Sequence, residues 1–134
     1  MNVIFYSSII DERSKEIYKG MVNSNHNIGL ELHHSTGSME GRLRQLLHGI
    51  ALIILYLAEK RDLTDLSSMH ELFNDIPLML IMIDTSGVAM TKAFLMRPRV
   101  IFRVDDNLED MCLVFEKMLA RQISYEQQWK TDAL

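Results

Sequence analysis

The feature that most constrains this chain is an unbroken apolar run, Ala51-Leu52-Ile53-Ile54-Leu55-Tyr56-Leu57. A strand with one face in water alternates apolar and polar residues. A continuous run therefore reads as the central strand of a parallel sheet covered on both faces. The longest apolar stretches, residues 50–58 and 76–83, have nine and eight residues. A membrane-crossing helix needs about twenty. Both stretches are the length of buried strands.

The rest of the chain supplies the helices such a sheet requires. Residues 3–7 form a short apolar run, and residues 11–23 follow with Ile17, Tyr18 and Met21 at helical spacing behind a capping Asp11. In residues 28–33, Ile28, Leu30 and Leu32 alternate with Gly29, Glu31 and His33, which predicts a strand buried on one face. Ser38 is placed to cap a helix running to about Leu47, with Leu43, Leu46 and Leu47 inward. After the central strand, a polar stretch at 59–64 leads to a short helix over 65–74, striped by Leu66, Met69, Leu72 and Phe73. Pro77 opens a fourth strand at 78–83, and Thr85 or Ser86 caps a helix that Arg97-Pro98 ends. A fifth strand at 100–104 precedes a last helix capped by Asn107, whose stripe is Leu108, Met111, Cys112, Phe115, Met118 and Leu119. Five strands alternating with five helices predict a three-layer α/β sandwich.

Composition narrows the function classes. The net charge is −4, so no broad cationic surface for nucleic acid or anionic lipid is expected. Arg42 and Arg44, and separately Arg97, Arg99 and Arg103, form small basic patches without interleaved aromatic residues for base stacking. A single cysteine, Cys112, rules out an internal disulfide and a cysteine-cluster zinc site. The N-terminus carries no basic signal region, and the expectation is a reduced, cytoplasmic setting. Neither a cofactor nor a membrane is expected as a partner.

Ligands of doubly wound sheets sit beyond the C-terminal ends of the strands. Those positions hold Ser7 and Ser8, Tyr56 to Glu59, Met82 to Ser86, and Arg103 to Asp106. No glycine occurs in 7–13, so a phosphate-cradling loop after the first strand is excluded. His26, His33, His34, His48 and His70 share no metal-ligand spacing. Cys112 lies on a buried stripe with no activating histidine nearby and reads as an inert core thiol. No Ser-His-Asp or Cys-His spacing stands out, and the chain is read as non-enzymatic.

In its order of elements the chain to about Gln122 resembles the response-regulator receiver domains. The proline-led run Pro77-Leu78-Met79-Leu80-Ile81-Met82-Ile83 is similar to the family's fourth strand, and Asp105-Asp106-Asn107-Leu108-Glu109-Asp110-Met111 to its acidic fifth-helix cap. The resemblance implies a flavodoxin-like (βα)5 fold with a parallel sheet of order 2-1-3-4-5. It also implies where the family's phosphorylation chemistry would stand. Ser7 and Ser8 take the places of the paired acids, Tyr56 that of the phosphoacceptor aspartate, Met82 that of the switch Ser/Thr, and Val104 that of the lysine. Two hydroxyls supply little charge for a divalent cation, and a tyrosine forms no acyl phosphate. Asp11, Glu59, Asp62 and Asp84 read as a cap, two loop-solvating acids and a residue preceding a helix.

The expected function is accordingly a degenerate, receiver-like signalling module that acts through a protein partner, an output domain or a second copy of itself. The resemblance points to a face with Lys92, Arg97, Arg99 and Arg103 beside Asp106, Glu109, Glu116 and Arg121. Two alternatives stand beside it. Asp84-Thr85-Ser86-Gly87 resembles the phosphorylated turn of anti-sigma-factor antagonists (the STAS fold), with Ser86 as the switch. A ligand-binding flavodoxin-like domain would use the strand-end pocket around Ser7, Ser8, Tyr56 and Asp84. Residues 1–122 are read as the domain and 123–134 as a helical extension or linker, polar through Tyr125, Glu126, Gln127, Gln128, Trp129 and Lys130.

Overall fold

A computed structural model describes the backbone of residues 1–25 and 27–132, and the side chains of these up to residue 123. His26 and the side chains of the polar tail lie outside the described residues. Five parallel strands, β1 (Asn2–Ser7), β2 (Gly29–His33), β3 (Ile50–Leu57), β4 (Leu78–Met82) and β5 (Val100–Arg103), form one sheet in the order β2-β1-β3-β4-β5. Five helices alternate with them: α1 (Glu12–Ser24), α2 (Thr36–Leu43), α3 (Lys60–Ser67), α4 (Gly87–Leu95) and α5 (Leu108–Asp132). This is the flavodoxin-like topology expected from the alternation of apolar runs and helical stripes.

The uninterrupted run marks the middle of the sheet. All eight residues of β3 are buried, between β1 on one side and β4 on the other. Because successive side chains of a strand point to opposite faces, the run divides between two cores. Leu52, Ile54 and Tyr56 join Val3, Phe5, Met79 and Ile81 under Ile17 and Met21 of α1 and Met111, Phe115 and Leu119 of α5. Ile53, Leu55 and Leu57 join Ile4, Tyr6, Leu80 and Met82 under Met39, Leu63, Leu66, Ala89 and Ala93 of α2, α3 and α4. At about 25 cal/mol per Å² of apolar surface, burial on two faces makes these strands the main source of folding free energy. Helices α1 and α5 approach closely at Gly20, where an added Cβ would lie 3.2 Å from a Leu108 methyl and 3.3 Å from Cys112 Sγ.

Three local expectations are corrected. Ser35, not Ser38, caps α2, its hydroxyl accepting from Ser38 N, and the helix ends at Leu43. Leu46 and Leu47 are therefore not core residues but 92% and 93% exposed. The chain must reverse there to enter β3, and it does so with Leu47 at φ 57° and Gly49 at φ 68°. Helix α3 starts at Lys60, within the stretch read as polar loop, and a 3₁₀ turn (His70–Phe73) follows it. The polar residues are its outer face and Leu63 and Leu66 its inner one. Strand β2 is an edge strand, paired among the described residues only with β1, and Leu32 near its end is 44% exposed instead of buried.

Candidate functional site

The strand-end residues singled out by sequence do not converge on one pocket. Ser7 pairs with Tyr56 across β1 and β3, while Met82 pairs with Leu57 across β4 and β3. The pleat therefore sends Tyr56 to the α1–α5 face and Met82 to the α2–α4 face. Val104 follows β5, and its N–H donates to the Met82 carbonyl at 3.0 Å. Ser7 is buried and its hydroxyl donates to the carbonyl of Ile9.

On the α1–α5 face, Tyr56 is 1% exposed and its hydroxyl donates to both carboxylate oxygens of Asp11, at 3.1 and 3.2 Å. Asp11 is held for this by its own task as the α1 cap. Its Oδ1 accepts from Ser14 N at 2.7 Å, and the Ser14 hydroxyl accepts from Asp11 N in return. Burial, then the charge and hydrogen bond of Asp11, push the Tyr56 phenol up to about 12, and Arg13 opposes them weakly. Tyr56 is thus a neutral donor at any physiological pH. The Arg13 guanidinium donates through Nε to the Val104 carbonyl at 2.7 Å and through Nη2 to the Asp106 carbonyl at 2.6 Å.

A second polar cluster lies on the other face. Asp62 is 2% exposed, and one of its carboxylate oxygens accepts from the Ser8 hydroxyl and from Glu59 N, both at 3.0 Å. The loop-solvating role read for Asp62 and Glu59 is corrected here, for together they form the capping box of α3. Burial first, then the charges of Asp62 and Asp65, raise the Tyr6 phenol on the same face. Ser8 and Asp62 therefore spend their polar atoms on local structure. Among the described residues no group of three His, Cys, Asp or Glu side chains is placed to hold a metal ion.

The remaining strand ends open onto a cleft between α3 and α4, of about 500 Å³, floored by Leu57, Leu63, Met82 and Ala89. Asp84 stands at its mouth as expected of a residue preceding a helix. Its Oδ1 accepts from Ser86 N at 2.9 Å, and this bond holds its carboxyl below the usual range. Ser86 caps α4 by accepting from Ala89 N.

Solved structures share this fold. A CheY-like response-regulator receiver domain protein from Methanospirillum hungatei JF-1 superposes with a TM-score of 0.71 at 8% identity, covering 92% of this chain and 97% of that one. The fold is that of the receiver domains. A pilus assembly-related protein from Burkholderia pseudomallei K96243 matches with a TM-score of 0.68 at 12% identity over 90% of each chain. An atypical orphan response regulator, described as having a phosphorylation-independent regulatory mechanism, matches with a TM-score of 0.66 at 15% identity over 90% of this chain and 96% of that one. No protein-family model matches the sequence, and no curated protein does.

On this receiver fold the charged residues expected on one face divide. Arg97, Arg99, Arg103 and Glu109 are exposed, and Asp106 and Glu116 half-buried, on the chain from the end of α4 through β5 into α5. Lys92 stands apart from them, on the cleft wall facing α3. The side-chain oxygen of Asp106 accepts from Arg103 N at 2.7 Å, and Arg103 approaches Asp105 at 3.8 Å. Burial, followed by the Glu116 charge, pushes the Cys112 thiol up, in keeping with an unreactive residue. His34 donates from Nδ1 to the Ser7 carbonyl at 2.8 Å, so this histidine also serves the backbone. Sequence reasoning did not single out Arg13, whose partners lie 91 and 93 residues away. Asp62 had a local signal, the E-x-x-D spacing with Glu59 ahead of Leu63 and Leu66.

Proposed function

We propose that this chain is a receiver-like signalling module that has exchanged the aspartyl-phosphate switch for regulation by protein contact. The observation that carries the reading is Tyr56, which takes the phosphoacceptor place in the resemblance and commits its hydroxyl to Asp11. A buried phenol with an elevated pKa is a poor nucleophile. Ser7 and Ser8 offer no carboxylate pair for magnesium, and Ser8 is occupied by Asp62. The phosphorylation-independent mechanism described for one structural neighbour supports the same class of role.

The contact surface in this reading is α4, β5 and α5. Phe94, Leu95 and Leu113 are 62%, 71% and 54% exposed on these elements, and β5 has a free edge. Exposed apolar groups beside an open strand edge favour association. Arg97, Arg99 and Arg103 beside Asp106, Glu109 and Glu116 provide opposite charges, which let a two-fold pairing set basic strand against acidic helix. The partner is a second copy of the chain or an output domain using the same face.

Two measurements test the reading. Incubation with acetyl phosphate and magnesium, followed by intact mass, gives no alkali-labile phosphate adduct; such an adduct overturns it. Light scattering finds a dimer that weakens with salt. Arg99→Glu or Glu109→Arg dissociates it, and the double reversal restores part of the association. A monomer at every salt and protein concentration removes self-pairing.

A further inference from the structure

The cleft between α3 and α4 has a composition that the signalling role leaves unused. Its volume of about 500 Å³ falls in the range of small-molecule sites, roughly 300–1,000 Å³. The floor is apolar, and Ala58, Ile83 and Val88 extend it to a rim where Ile83 is 50% and Val88 72% exposed. Four charged side chains stand around this rim: Glu59, Lys60, Asp84 and Lys92. The two acids are answered within the protein, while Lys60 forms no ion pair among the described residues. Arg61 pairs with Glu59 at 3.0 Å, and the charge of Lys60 acts on Asp84, which is further engaged by Ser86 N.

Lys92, like Lys60, makes no ion pair among the described residues, and α4 contains no acidic residue to answer it. With Arg61 set against Glu59 and Lys60 acting on Asp84, Lys92 is the remaining positive charge above the apolar floor.

We propose that this cleft binds a small amphipathic monoanion, its apolar body on Leu57, Leu63 and Met82 and its carboxylate or sulfonate head at Lys92. The inference shares α4 with the proposed contact surface but uses none of the Tyr56 or β5 residues. Inorganic phosphate is disfavoured because it has no apolar body to cover the floor. A neutral apolar molecule gains nothing from Lys92.

The probe is 8-anilino-1-naphthalenesulfonate, an aromatic body with one negative charge, titrated by calorimetry and fluorescence into the folded protein. Binding is one-to-one and sub-millimolar. Lys92→Glu, at an exposed position, weakens it by about fivefold or more, the effect of a single exposed charge at contact distance. Ala58→Phe, which fills the half-buried rim, weakens it as well, while circular dichroism shows both variants folded. The neutral N-phenyl-1-naphthylamine and inorganic phosphate bind more weakly than the probe. Absence of binding, wild-type affinity in either folded variant, or equal affinity for the neutral analogue or phosphate overturns the proposal.

Discussion

Arg13 in the first turn of α1 donates from Nε to the carbonyl of Val104, at 2.7 Å and across 91 residues of sequence. With the second bond to the Asp106 carbonyl, the planar guanidinium ties the start of the first helix to the loop before the last. The resemblance assigns the Val104 position to a lysine side chain. Here the cation near the strand ends comes from α1 and is spent on backbone.

Removing this tie has a defined cost. Arg13→Ala lowers stability by about 2 kcal/mol, as expected for charge-assisted hydrogen bonds to half-buried carbonyls. Arg13→Lys recovers less than half, because an ammonium lacks the fork that reaches two carbonyls. Urea unfolding measures both, and amide exchange localises the loss to the loop from Val104 to Asn107. Full recovery by lysine would show that charge alone matters.

The Tyr56–Asp11 pair makes stability fall at alkaline pH. The folded phenol is raised to about 12 from an ordinary value of 10.0, so the folded state holds its proton where the unfolded state releases it. The contribution is complete below about pH 10 and is lost as pH rises towards about 12. In Tyr56→Phe the alkaline loss of stability is smaller, and the late tyrosinate absorbance shrinks to the part that the raised Tyr6 phenol contributes. An unchanged absorbance titration in that variant would contradict the assignment.

At Asp62, deletion strands two donors. Asp62→Ala costs about 2 kcal/mol, because Ser8 and the Glu59 amide lose their acceptor in a half-buried setting. Ser8→Ala costs about 1 kcal/mol, since Asp62 keeps the amide. Denaturant melts of the two single variants and the double variant should show strong non-additivity. Additive losses would mean that the two side chains are not partners.

Leu47 offers a stabilising substitution. Its side chain is 93% exposed and its φ is 57°, so replacing it removes no packing and relieves left-handed strain. Leu47→Asn raises stability by about 1 kcal/mol, because asparagine tolerates this region. A thermal melt checks it, and a decrease would show that Leu47 makes a contact worth more than the strain.

The architecture was legible in the chain because its signals are local and periodic. The uninterrupted 51–57 run has the length and pattern expected of a doubly covered strand, and Asp11, Thr85 or Ser86, and Asn107 announced helix starts through capping chemistry that spans three residues. The same local reading went wrong where local pattern had competitors. Leu46 and Leu47 continue the helical stripe of α2, yet the chain has to turn there to reach β3. The polar face of α3 hid its start because Lys60, Arg61 and Thr64 also suit a loop.

Sequence by itself thus determined the layers, the strand order expected from resemblance, and which residue types stand at the strand ends. Tertiary structure alone decided which of them meet. The pleat sent Tyr56 and Met82 to opposite faces, burial turned Asp62 from a surface acid into the acceptor of Ser8, and Arg13 found its partners across the whole domain. Such contacts depend on the register of paired strands and on the reach of side chains between elements distant in sequence. No spacing along the chain encodes them.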